Sequence, residues 1–147
     1  MIFLSALGQL LRDHGIELDR AQIGSIARLG SGSACRSLEG GLVTWGKTAL
    51  VEASSDLYAT AVTKKVHPVF QQVRDTVLVV SSEEKELSSR AGHGAMNAHP
   101  FAPARYQQAE ANFTEMWSGL VKGDWEKVGD LMEAEALTLH ALMMSHT

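Results

Sequence analysis

Two stretches of helical periodicity in the second half of the sequence constrain the fold most strongly. In the first, apolar residues recur at i, i+3, i+4, i+7 and i+8, the spacing of a helix with one buried face. Gly123 supplies a helix stop and Asp124 a cap for the second stretch, so consecutive long helices are predicted. The apolar positions are Phe113, Met116, Trp117, Leu120 and Val121, then Val128, Leu131, Met132, Leu139, Leu142 and Met143.

The first thirty residues predict two further helices. Apolar spacing indicates a helix that is already under way at Met1 and stops at Gly15. Asp19 with Gln22 three residues later forms a capping pattern for a second helix that reaches Gly30. A domain seldom opens inside an apolar helix without a cap, so we expect a fragment or a natural start further upstream.

Short strands are predicted between these helices. Residues 42–45, 58–63 and 76–80 carry the β-branched and apolar content of strands. Ser81 with Glu84 then forms another capping pattern, which predicts a helix to about residue 96. This mixture of helices and short strands predicts an α+β fold.

Composition excludes several classes of protein. Lys and Arg number 13 against 17 Asp and Glu, and the resulting net charge of −4 gives no reason to expect nucleic acid or an anionic membrane as partner. The single cysteine, Cys35, cannot form an internal disulfide, and no apolar run is long enough to span a bilayer. A reducing cytoplasm fits best, and any anion site must be local.

One small-residue segment carries the pattern of such a site. Ser31, Gly32 and Ser33 precede a predicted short helix, and they offer hydroxyl donors, a closely approachable backbone and unpaired N–H groups at a positive helix end. Arg36 would lie about one turn into that helix, and its planar fork suits a carboxylate or phosphate. The simpler alternative is a glycine-rich turn capped by serine, with Arg36 solvated.

Other sites are weaker candidates. A P-loop is rejected because Cys35 replaces the second glycine of that motif and Arg36 its lysine. A small buried core residue is the favoured interpretation of Cys35, since no histidine lies near it in sequence. The pairs His93 with His99 and His140 with His146 lack metal-ligand spacing, so no metal ligand is assigned. Trp117, Trp125 and the methionines of the last two helices are interpreted as core residues.

The string S-G-S-A-C-R-S-L at residues 31–38, followed by G-G-L-V-T-W at 40–45, resembles the signature segment of the mevalonate diphosphate decarboxylases in the GHMP kinase superfamily. The similarity continues through residues 77–80, 87–89 and 133–144. The resemblance implies a GHMP-kinase-type fold, with residues 1–46 ending its N-terminal domain and 47–147 forming the first part of its C-terminal domain.

The resemblance also implies an activity in isoprenoid biosynthesis. Such a lyase uses ATP and Mg²⁺ to phosphorylate the tertiary hydroxyl of mevalonate 5-diphosphate, after which phosphate and carbon dioxide leave and isopentenyl diphosphate forms. Arg36 matches the arginine that would hold the substrate carboxylate. Ser31 and Ser33 match two serines at the reacting end of the substrate, and Ser89, beside Ser88, corresponds to a serine near the diphosphate.

Departures from the family pattern leave alternatives open. His93 stands where the decarboxylases often carry methionine, so it joins the candidate substrate residues, and mevalonate phosphate or mevalonate remain alternative substrates. The nucleotide loop and the catalytic aspartate of the family have no counterpart among these residues, so no catalytic residue is assigned. The chain is therefore expected to be an incomplete and inactive portion, and the alternatives are a mevalonate kinase-like enzyme or a noncatalytic module. A homodimer of the complete protein stays open.

Overall fold

The computed structural model describes residues 9–82, 94 and 96–145. The chain divides into two units, Met1–Val66 and His67–Thr147. The predicted division between residues 46 and 47 concerns the domains of a longer protein, and it stays a prediction. Both helices and strands are present, which confirms the predicted α+β class at this level.

The first unit begins, in the described part, with helical residues 9–13. Gly15 follows with a φ of 74°, a left-handed conformation that suits glycine and ends the helix where the sequence predicted. Helix α1 then covers Arg20–Gly30. Its predicted capping box is confirmed, because the Asp19 carboxylate accepts from the Gln22 N–H at 2.7 Å and the Gln22 side chain accepts from the Asp19 N–H at 2.9 Å.

A two-stranded antiparallel sheet completes the first unit. Strand β1 covers Val43–Trp45 and strand β2 covers Ala59–Ala61, paired so that Thr44 lies opposite Thr60. Short 3-10 helices at Ala34–Leu38 and Thr63–Lys65 precede β1 and follow β2. The buried apolar residues of this unit are Ala27, Cys35, Val51, Ala59, Val62 and Val66.

The second unit is built on the two predicted long helices. Helix α2 covers Ala102–Lys122 and helix α3 covers Trp125–Met144. Gly123 ends α2 with a φ of 79°, and the Asp124 side chain accepts from the Lys127 N–H at 3.1 Å, so both boundary predictions are confirmed. A 3-10 helix at Pro68–Gln72 precedes these helices, and another covers Met96–Ala98.

Helices α2 and α3 approach closely at one glycine and are linked by two ion pairs, Arg105–Glu135 and Glu115–Lys127. A Cβ placed on Gly119 would lie 2.8 Å from Cγ2 of buried Val128, so only glycine permits this approach. Further along, the Arg105 guanidinium donates two hydrogen bonds to the Glu135 carboxylate, at 3.1 and 2.5 Å. The Asn112 amide donates a third at 2.8 Å. These contacts hold the two helices in one register.

The predicted strand at residues 76–80 is wrong. Residues 73–79 have no regular secondary structure, and Val77, Leu78, Val79 and Val80 are 75–98% exposed. A strand needs a neighbour to accept its backbone hydrogen bonds, and within the described residues none pairs with this segment. The helix predicted from Ser81 falls mostly outside the described residues, although Met96–Ala98, at its expected end, forms a 3-10 turn.

The predicted burial of the second-unit helices is only partly correct. Val128 is buried, but Val121 and Met132 lie on exposed surface. Trp125, which was predicted as a core residue, is also exposed and stacks on the buried ring of Phe70 at a centroid distance of 5.3 Å. Two helices alone cannot cover both apolar stripes, because each buries only the part that faces the other.

Candidate functional site

The candidate site is the turn that joins α1 to the 3-10 helix Ala34–Leu38. The Ser31 N–H donates to the Ala27 carbonyl at 3.2 Å and closes α1. The Ser31 carbonyl then accepts from the Ala34 N–H at 2.9 Å, and the Ser33 carbonyl accepts from the Arg36 N–H at 3.1 Å. Both serines therefore stand at the start of the short helix that carries Arg36, as the sequence predicted.

Cys35 anchors this short helix to the interior of the first unit. Its side chain is 1% exposed and is one of the two largest side chains that are fully buried among the described residues. A Cβ on Gly24 of α1 would lie 3.8 Å from the Cys35 Cβ and 3.1 Å from the Tyr58 Cβ, so the glycine lets α1 approach both. The prediction that Cys35 is a core residue is confirmed.

Burial of Cys35 turns its neighbour Arg36 outward. Arg36 is exposed, and within the described part of the chain its guanidinium makes no hydrogen bond or ion pair. Ser31 is exposed as well, while Ser33 is half-buried and its hydroxyl forms no cap hydrogen bond to the 3-10 helix. This turn and its short helix therefore carry one cation and two hydroxyls that can each bond to an anion.

The predicted backbone contribution to an anion site needs correction. The sequence predicts unpaired N–H groups at the start of this helix, but those of Ala34 and Arg36 already donate to the two serine carbonyls. A 3-10 turn forms its first hydrogen bond after three residues, so fewer N–H groups stay free than at an α-helix. Anion binding can therefore depend less on these two N–H groups and more on the Arg36 guanidinium and the serine hydroxyls.

Arg28 contacts the serine turn, and this contact was not predicted from the sequence. It lies in the last turn of α1, and its Nε donates to the Gly32 carbonyl at 3.2 Å. Its guanidinium lies 4.7 Å from the centroid of the Trp45 ring and donates a second hydrogen bond to the Asp56 carbonyl. The only sequence signal for this role was an arginine four residues before Gly32. Local spacing does not predict partners that are distant in sequence, such as Asp56.

The remaining candidate residues lie elsewhere. Ser88, Ser89 and His93 fall outside the described residues, so their predicted convergence with Arg36 stays a prediction. His99 is described; it is buried and bonded through Nε2 to the Ser145 hydroxyl at 3.2 Å. Among residues 9–82, 94 and 96–145 there is no group of three or more His, Cys, Asp or Glu side chains placed to hold a metal ion. None of the helices described there is long and apolar enough to cross a membrane.

Comparison with known proteins identifies relatives of the chain. Residues 4–59 match the model of the diphosphomevalonate decarboxylase-like N-terminal domain, a range that contains the whole candidate site. Among curated proteins, the diphosphomevalonate decarboxylase of Candida albicans is 28% identical over 97% of this chain and 39% of its own length. The human diphosphomevalonate decarboxylase is 31% identical over 90% of this chain and 32% of its own length.

Similarity is higher over a shorter stretch. Diphosphomevalonate decarboxylase mvd1 of Aspergillus fumigatus is 44% identical over 48% of this chain and 17% of its own length. No solved structure gives a significant match. The resemblance to the mevalonate diphosphate decarboxylase family is therefore confirmed, and the chain aligns with only part of each of these relatives. It spans less than two fifths of the length of the curated relatives named here.

Proposed function

We propose that this chain is the substrate-binding part of an ATP-dependent diphosphomevalonate decarboxylase, which converts mevalonate 5-diphosphate to isopentenyl diphosphate. The names of its relatives support the family. One structural observation supports the role of this part: Ser31, Ser33 and Arg36 share one turn and short helix anchored by buried Cys35, and the exposed Arg36 guanidinium has no bonded partner among residues 9–82, 94 and 96–145. The proposal includes a GHMP-kinase-type fold for the complete protein and a cytoplasmic location.

The geometry suits recognition of a small anion. Arg36 stays charged at all physiological pH values, and its planar fork can donate two parallel hydrogen bonds to one carboxylate. The neighbouring hydroxyls add donors that can orient the substrate around that contact. In the proposed reaction the carboxylate leaves as carbon dioxide, so fixing it relative to the phosphorylated carbon is the contribution expected of Arg36.

ATP and Mg²⁺ belong to the proposed reaction but are not assigned to residues of this chain. The described residues contain no cluster of carboxylates that fits a Mg²⁺ ion, and the candidate site consists of one arginine and two serines on the same turn. Bound MgATP would supply the phosphoryl group. The part proposed for Ser31, Ser33 and Arg36 is confined to holding the substrate.

Replacement of Arg36 in the full-length protein tests the proposal. Arg36→Lys keeps the charge but cannot reproduce the bidentate contact, so we expect kcat/KM for mevalonate 5-diphosphate to fall about 100-fold. Arg74→Lys makes the same change at another exposed arginine and should leave the kinetics unchanged. Phosphate and carbon dioxide release are measured together with the melting temperature, so that a folding defect is recognised.

Two results would count against the proposal. Normal kinetics for Arg36→Lys would make Arg36 a solvated surface residue. A wild-type protein that releases carbon dioxide from mevalonate 5-phosphate, or only phosphorylates mevalonate, would replace the proposed substrate or reaction with the corresponding alternative. Each substrate is therefore assayed separately at equal concentration.

A further inference from the structure

Arg28 connects three segments of the first unit. From the last turn of α1, its Nε donates to the Gly32 carbonyl at 3.2 Å, and Nη1 donates to the Asp56 carbonyl. Its guanidinium lies over the Trp45 ring of β1 at 4.7 Å. The same Asp56 carbonyl accepts from the Trp45 indole N–H at 3.0 Å. One side chain thus links the serine turn, strand β1 and the loop that precedes β2.

The partner segment is itself held in place. The Asp56 carboxylate accepts from the Lys47 N–H at 2.8 Å, and the Ser55 carbonyl accepts from the Gly46 N–H at 3.0 Å. These bonds join the two ends of the loop between the strands, next to the β1–β2 ladder. Arg28 is therefore bonded to a backbone whose position is already restricted, which gives the guanidinium a defined orientation.

Gly32 lies in an exposed turn that the hydrogen bond from the Ala34 N–H to the Ser31 carbonyl closes. A Cβ added to Gly32 would meet no atom within 4 Å, so its side-chain direction faces open space. Glycine also samples more backbone conformations than any other residue. Because Gly32 lies between Ser31 and Ser33, the orientation of its peptide groups decides where both hydroxyls point. Among the described residues, Arg28 donates the side-chain hydrogen bond that the Gly32 carbonyl accepts.

We infer that Arg28 is a positioning residue of the substrate site: by holding the Gly32 carbonyl, it fixes the Ser31 and Ser33 hydroxyls relative to Arg36. The inference rests on the proposed function, since the serines and Arg36 are its substrate-binding groups. Among side chains, only a guanidinium can sit over an indole ring while donating from Nε and Nη1 to two separate carbonyls. Lysine keeps the charge but lacks this fork.

Arg20 provides a matched control on the same helix. Its Nη1 donates to the Leu38 carbonyl and to the Glu39 carboxylate, each at 3.1 Å, at the far end of the same 3-10 helix. Its side chain is 74% exposed, and surface ion pairs of this kind contribute little. Arg20→Met therefore removes an arginine contact to the short helix without releasing Gly32.

The experiment compares Arg28→Met, Arg28→Lys and Arg20→Met in the full-length protein. Hydrogen exchange is followed by mass spectrometry in peptides that cover residues 30–38, whose Ala34 and Arg36 amides donate to the serine carbonyls. We expect exchange to be about tenfold faster in both Arg28 variants and unchanged in Arg20→Met. We also expect kcat/KM for mevalonate 5-diphosphate to fall about 10- to 100-fold in Arg28→Met, with the KM for ATP within about twofold.

Exchange and kinetics separate this inference from the proposed function. Unchanged exchange in Arg28→Lys, or faster exchange with normal kcat/KM, would overturn the positioning role and leave Arg28 as a stabilising contact. An equal loss in Arg20→Met would also overturn it. If Arg28→Met does not fold, the Arg28→Lys variant alone tests the positioning role, because lysine keeps a cation near Trp45. A full-length protein that is inactive on every mevalonate substrate contradicts the proposed function, while the exchange result still decides whether Arg28 orders the turn.

Discussion

At the scale of single residues, the Arg105–Glu135 pair shows how burial decides the weight of an ion pair. The Arg105 side chain is 8% exposed, so removing its partner would leave a buried charge without compensation. We expect Glu135→Gln to lower the free energy of unfolding by about 2 kcal/mol at neutral pH, because two hydrogen bonds to a charged group are weakened. Urea unfolding of residues 1–147 measures this change.

Glu115 offers the control for that substitution. It forms an ion pair with Lys127 on exposed surface, where solvent screens the interaction. Glu115→Gln should therefore leave the urea midpoint almost unchanged. Equal effects of the two substitutions would contradict the argument from burial.

The lowered pKa of Glu135 makes the stability of the protein depend on pH. Hydrogen bonds from Arg105 hold the pKa of Glu135 below its ordinary value, against the opposing effect of burial, and the Asn112 amide adds to the lowering. Stabilisation by the ionised carboxylate is complete above its unfolded pKa of about 4.3 and is lost as the pH falls through the lower folded value. The difference in unfolding free energy between the wild type and Glu135→Gln should therefore shrink below about pH 4.

At the scale of elements, replacement by alanine is expected to have opposite effects on stability at two glycines of the second unit. Gly123 has a φ of 79°, and a Cβ there would lie 2.7 Å from the His67 ring, so Gly123→Ala should destabilise by about 1 to 2 kcal/mol. Gly129 lies exposed within α3 with no atom within 4 Å of an added Cβ. Gly129→Ala should stabilise by about 0.5 to 1 kcal/mol, because alanine loses less backbone entropy in a helix.

Thermal unfolding of both variants and the wild type checks this pair. The melting temperature should fall for Gly123→Ala and rise for Gly129→Ala. A neutral Gly123→Ala would mean that the turn between α2 and α3 accepts a different backbone conformation.

At the scale of the whole molecule, the chain spans 39% and 32% of two relatives that act as diphosphomevalonate decarboxylases by name. The family resemblance implies a nucleotide loop and a catalytic aspartate, and residues 1–147 are predicted to contain neither. Residues 1–147 alone should therefore release no ADP above background with any of the three mevalonate substrates. Circular dichroism should show helix in the same sample, so that inactivity is not confused with unfolding. Clear mevalonate-dependent turnover would contradict this prediction.

Local sequence determined the helix boundaries. The Asp19–Gln22 box, the Gly123 stop and the Asp124 cap were each predicted from neighbouring residues and are present in the structure. Burial of Cys35 also followed from residue type. Caps and stops depend on hydrogen bonds that span only a few residues, so the information for them lies within the local sequence.

Contacts between distant residues were decided only by tertiary structure. Residues 76–80 have the composition of a strand but no pairing partner among the described residues, and Trp125 stacks at the surface despite its place on an apolar stripe. At the candidate site, the sequence determined that Ser31, Ser33 and Arg36 share one turn. It did not reveal that Arg28 reaches Gly32, Trp45 and Asp56 together. These partners meet only in the folded chain, through contacts between residues far apart in sequence, and local spacing does not predict such contacts.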